Sequence, residues 1–115
     1  MMSFESDSEA ALTIQTQEKS SKNWARNLTV LGNACRDLGM RSSGEDGRHY
    51  LHRAIENYQA SLSVRTREAD PWGRATTLLN LAYALSNWTT RIENEDQVKE
   101  CLIFAIECCD GALSV

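Results

Sequence analysis

Sliding the sequence over itself by 50 positions brings Ala10, Leu12, Thr16 and Glu18 onto Ala60, Leu62, Thr66 and Glu68. The same shift brings Ala25, Leu28, Leu31 and Ala34 onto Ala75, Leu78, Leu81 and Ala84. Past a loop the offset becomes 51, and Ala54, Ile55, Leu62 and Val64 fall on Ala105, Ile106, Leu113 and Val115. An internal repeat of this period constrains the fold strongly, because a unit too small to bury its own apolar face must stack on a neighbour. The chain reads as two copies of one unit preceded by the tail of a third. Its 115 residues fit a single domain, residues 1–115, with room for a core but none for a separate cofactor domain.

Each unit reads as a helical hairpin. In the first helix Trp24, Leu28, Leu31, Cys35 and Leu38 recur at steps of four and three, which is one buried stripe. Its counterpart runs from about Trp72 to Trp88 through Ala75, Leu78, Leu81, Ala82 and Leu85. The second helices carry Leu51, Ile55, Tyr58 and Leu62, then Val98, Leu102, Ala105, Ile106, Cys109 and Leu113. GMRSSGEDG (residues 39–47) and the polar stretch from Arg91 to Asp96 read as loops. Glu95 or Asp96 is placed to cap the last helix, and Asp70 to cap the helix that Pro71 opens. Residues 8–19 match the end of a second helix, so the expectation is an all-α fold of about five helices. The units are 23–66 and 71–115, after a partial leading helix at 8–19. One proline and six glycines suit that class better than a turn-rich sandwich.

The net charge of −4 is too mild to mark a nucleic-acid binder, and no nucleic acid is expected as a partner. Its distribution says more: residues 1–18 carry four acids and no base, residues 19–90 ten bases against six acids, and residues 91–115 two bases against six acids. A basic centre between acidic ends either steers an acidic peptide, lets copies associate end to centre, or simply reflects solvated helix faces. No run approaches 18 apolar residues, so no membrane span is expected. The acidic start MMSFESDSEAAL does not read as a leader, and the four cysteines (Cys35, Cys101, Cys108, Cys109) show no CxxC pairing, so a reducing, cytoplasmic setting is expected.

Little in the chain points to chemistry. His49, His52 and Glu56 lie at steps of three and four and would share a helical face, but two flanking arginines disfavour a cation and the HExxH order is absent. The cysteines have no histidine nearby in sequence to act as a base, and no glycine-rich phosphate loop occurs. The expectation is a non-enzymatic protein without metal or cofactor.

These residues resemble the tetratricopeptide repeat, in a long-period form of about 50 residues rather than 34, over residues 10–115. The first-helix pattern is carried by Leu28, Leu31, Gly32 and Cys35 and again by Leu78, Leu81, Ala82 and Leu85. The second-helix pattern is carried by Ala54, Tyr58 and Ser61, then by Ala105, Cys109 and Ala112. PWGRATTLLNLAYAL looks like the signature of repeats found beside caspase-like proteases and signalling domains, with Arg74 in place of its tryptophan and Ala82 in place of its glycine. The resemblance implies a right-handed stack of antiparallel hairpins, an α-solenoid, that acts as an adaptor or scaffold. It implies that a protein or peptide partner lies along a concave face lined by Arg26, Thr29, Asn33, Arg36 and Asp37, then Thr76, Leu79, Asn80, Tyr83 and Asn87. Asn33 and Asn80 fall where chaperone-binding members hold a peptide carboxylate, with Thr29 at the position of their lysine.

The last helix supports a second reading. Val98, Cys101, Leu102, Phe104 and Cys108 surround it almost completely, and the sequence stops on it without a capping helix. The expectation is a homodimer or partner contact through this helix, or a chain that is a piece of a longer array.

Overall fold

The computed structural model describes residues 22–114, and these residues form four α-helices with no strand among them. They are α1 (Lys22–Arg41), α2 (Gly44–Leu62), α3 (Pro71–Thr89) and α4 (Glu95–Leu113). Each helix packs on its neighbours in sequence, and α1 also touches α3. The fifth helix expected at residues 8–19 lies outside the described residues.

The links are set by local chemistry. Asp70 accepts a hydrogen bond from the Gly73 amide at 3.0 Å and Pro71 stands in the first turn, so α3 starts where the sequence indicates. For α4 the cap is Asn94 rather than Glu95 or Asp96; its Oδ1 accepts from the Gln97 amide at 3.0 Å. The nine-residue loop expected at 39–47 shrinks to Ser42 and Ser43. Gly39 and Gly47 belong to helices, and their lack of a side chain lets neighbours approach closely. A Cβ on Gly39 would lie 2.8 Å from Leu51 Cγ, and one on Gly47 would fall on the Arg91 guanidinium. The turn itself needs only Gly44, at φ +61°.

The core is one contiguous cluster through all four helices, with Tyr58 and Leu81 fully buried at its centre. Helix α3 lies between α2 and α4, and residues on several of its sides are buried, among them Ala75, Leu78, Leu81, Ala82, Ala84 and Leu85. Helix α4 buries only Ala105, Cys108 and Ala112. Its large residues Leu102, Ile106 and Leu113, expected in the buried stripe, are exposed. Their repeat equivalents in α2 are Leu51 and Ile55, which are buried, and Leu62, which is partly so. The difference is neighbours: among the described residues α2 packs on both α1 and α3, whereas α4 packs chiefly on α3. Leu38, assigned to the stripe of α1, is likewise 46% exposed.

A polar junction ties the first three helices together. The Thr29 hydroxyl donates to the Ala25 carbonyl at 3.2 Å and lies 2.8 Å from Ser61 Oγ and 3.2 Å from Thr77 Oγ1. Ser61 and Thr77 are fully buried, and Arg65 donates to the Thr77 hydroxyl at 3.2 Å. Buried hydroxyls demand partners, and here the carbonyls of Ala25 and Gly73 accept from Ser61 and Thr77 at 2.8 Å each.

Candidate functional site

The structure divides the residues expected on the concave face. Arg26 and Thr76 are exposed. Thr29 is not on that face: it is 6% exposed and belongs to the hydroxyl junction, because its position faces α2 and α3. Arg36, Asn80 and Tyr83 come together along the seam between α1 and α3, whereas Asn33 is held by α2. Tyr58 donates its hydroxyl to Asn33 Oδ1 at 2.5 Å, and Arg36 donates to Asn80 Oδ1 at 3.3 Å. The Arg36 guanidinium also lies 5.3 Å from the Tyr83 ring centroid and pairs with Asp37 at 3.2 Å. Asn87 donates to the Tyr83 carbonyl of its own helix at 2.9 Å. Arg36 thus ties α1 to α3, and Asn33 ties α1 to α2, so these polar groups are engaged in holding helices together.

The open feature is next to this seam. A groove of about 560 Å³ runs between α3 and α4. One wall is Leu79, Ala82, Tyr83 and Ser86, a row at helical spacings of three and four. The other is Leu102, Ala105, Ile106, Cys109 and Asp110. Leu79 and Tyr83 are each 50% exposed and Ile106 is 61% exposed, an apolar surface that most single chains do not leave to water. Outside the groove Ile103, Phe104 and Leu113 are exposed as well. Of the residues expected at an oligomer contact, Leu102 and Phe104 are exposed, while Val98 and Cys101 are half-buried. Cys108 is 2% exposed and faces the core, which corrects its assignment to the surface. Ile106 and Cys109 line the groove, although periodicity placed them in the core. Their signal lay in the offset of 51, which equates them with Ile55 and Tyr58 at the cleft that α3 fills.

Burial also fixes the thiol chemistry. Desolvation pushes the Cys108 thiol from 9.0 up to about 11, with the neighbouring Cys109 and Glu107 adding to it and Arg74 opposing it. Desolvation, then Glu100, raises Cys101. Thiols raised in this way stay protonated near neutrality and are weak nucleophiles. His52 pairs with Glu56 at 3.0 Å, whereas His49 stands beside Tyr50. Among the described residues no three His, Cys, Asp or Glu side chains converge as metal ligands, and no helix is long and apolar enough to cross a membrane.

Comparison with family models, with curated proteins and with solved structures finds no match to this chain.

Proposed function

We propose that this chain is a non-enzymatic protein-interaction module of the tetratricopeptide type, an adaptor that takes an amphipathic helix or a short peptide of a partner protein. In this reading the two helix pairs are successive turns of a right-handed stack, and the protein works in a reducing, cytoplasmic setting. The observation that carries it is the groove between α3 and α4, whose apolar walls are ready-formed, with Ser86 and Asp110 supplying polar groups. Preformed walls spare the ordering cost of binding, and rows at helical spacing suit a helix laid in a groove. Tyr83 offers a rigid anchor with a polar tip.

Selection from a displayed library of amphipathic helices tests the reading. The binders recovered carry apolar residues at i, i+3 or i+4 and i+7, and lose at least about tenfold in affinity on Ile106→Glu. Binders that ignore Ile106→Glu but are lost on the double substitution Arg26→Ala, Thr76→Ala would move the site to the polar inner face and overturn the groove.

A further inference from the structure

The two ends of the described fold carry the two halves of one interface, and the molecule already contains a finished example of it. Helix α3 seats on the first pair with Leu81 and Ala84 fully buried, and with the Trp88 ring 5.7 Å from that of His52. Just beyond its end Arg91 donates to the carbonyls of Ser42 at 2.6 Å and Met40 at 3.4 Å. The shift of 50 carries Asn80, Ala84, Trp88 and Arg91 onto Val30, Ala34, Leu38 and Arg41 of α1. All four are exposed, Val30 by 58% and Leu38 by 46%, and Val30, Ala34 and Leu38 form one row at steps of four. The cleft between α1 and α2 that α3 covers maps in the same way onto the groove between α3 and α4, with Gly32, Ala54 and Ile55 becoming Ala82, Ala105 and Ile106.

We propose that the occupant of this groove is α1 of a second copy of the chain, seated as α3 seats on the first pair. The proposal rests on the groove reading above and names its partner. Charge selects that occupant. Helix α1 holds four bases (Lys22, Arg26, Arg36, Arg41) against Asp37 alone, whereas α4 holds five acids (Glu95, Asp96, Glu100, Glu107, Asp110) against Lys99. An α4 wall therefore attracts a foreign α1 and repels a second α4, which argues against a symmetric contact between last helices. The two surfaces differ, so the contact is heterologous. Each bound copy presents a new groove, and association continues past two unless it closes into a ring. In the new contact Arg41 meets the end of α3, as Arg91 meets the end of α1.

Sedimentation of the full chain from about 1 to about 300 µM tests this by mass action. The mass is expected to climb with concentration beyond that of two chains. Leu38→Glu and Ile106→Glu, both at exposed positions, each hold the protein at one chain, with unchanged far-ultraviolet circular dichroism showing that they fold. Ile106→Ala weakens association without ending it. The decisive mixture is equimolar Leu38→Glu and Ile106→Glu: one keeps a sound groove and the other a sound α1, so together they form two-chain particles and stop there. A wild-type chain that stays single throughout overturns the proposal, as does a mixture that stays single. Loss of association on Ile106→Glu but not on Leu38→Glu would assign the contact to paired last helices and overturn it too. A single-chain protein whose groove still binds displayed helices would refute the second copy alone, whereas failure of the display experiment removes the groove itself.

Discussion

A Cβ on Gly32 would lie 2.7 Å from Tyr58 Cε1, so the tyrosine ring reaches its fully buried place only because α1 carries no side chain beneath it. The second unit solves the same contact with Ala82 and Cys109, a larger residue on the first helix against a smaller one on the second. Overfilling a packed site costs about 1–3 kcal/mol, and Gly32→Ala is expected to lose that much in urea denaturation. In a Tyr58→Cys background the same change is expected to cost nothing, a coupling that a double-mutant cycle reads directly. Equal costs in both backgrounds would mean that the ring is not what excludes the methyl group. Burial acts on protons at this scale as well. Desolvation holds the Tyr58 hydroxyl up to about 12 from 10.0, as it holds Cys108 up to about 11 from 9.0. Between those values the folded chain keeps protons that the unfolded chain releases, so unfolding becomes easier as pH rises. The contribution of these two groups to stability is therefore full below pH 9 and is lost between 9 and 12. Tyr58→Phe removes the upper part of the decline and Cys108→Ala the lower part, which urea midpoints taken across this range would show.

Helix ends show how far local chemistry reaches and where tertiary contact takes over. The start of α3 was legible from Asp70-Pro71 because a cap and a first-turn proline act through their own backbone. The end of α1 was not, because glycine marks both turns and close approaches, and nothing local separates Gly39 beneath Leu51 from a loop residue. The two caps differ in what else depends on them. The Asn94 side chain accepts from the Gln97 amide, and Asn94→Ala is expected to cost about 1 kcal/mol. Asp70 bonds the Gly73 amide and also lies 3.6 Å from Arg65 Nε, a buried N–H without a hydrogen-bond partner. Removing its carboxylate strips that guanidinium of its counter-charge, so Asp70→Ala is expected to exceed Asn94→Ala by at least about 1 kcal/mol in thermal or urea unfolding. Equal losses would reduce Asp70 to a simple cap.

At the scale of the molecule, the helical class was readable because 3.6-residue periodicity survives any arrangement of neighbours. Which apolar residues end up in water was not. Periodicity marks a side that prefers burial, but only packing supplies the neighbour, and the stripe that hides Leu51 and Ile55 in α2 exposes Leu102 and Ile106 in α4. Cys108 and Thr29 were misplaced for the same reason, since each faces a helix that one-dimensional spacing does not locate. The unequal ends have a thermodynamic consequence. Docking of α1 into a neighbour's groove requires folded partners, so association stabilises the native state by mass action. At a concentration about tenfold above the dissociation constant the gain is roughly 1.4 kcal/mol. For a domain of this size that raises the melting temperature by roughly 5 °C. Leu38→Glu and Ile106→Glu change exposed positions, where substitutions usually stay within about 0.5 kcal/mol, so dilute samples should melt with the wild type. On concentration the wild type should gain its several degrees and both variants none. A wild-type melting temperature that ignores concentration, or variants that gain as much as the wild type, would separate folding from assembly and leave the exposed rows of α1 and α4 without a role in self-association.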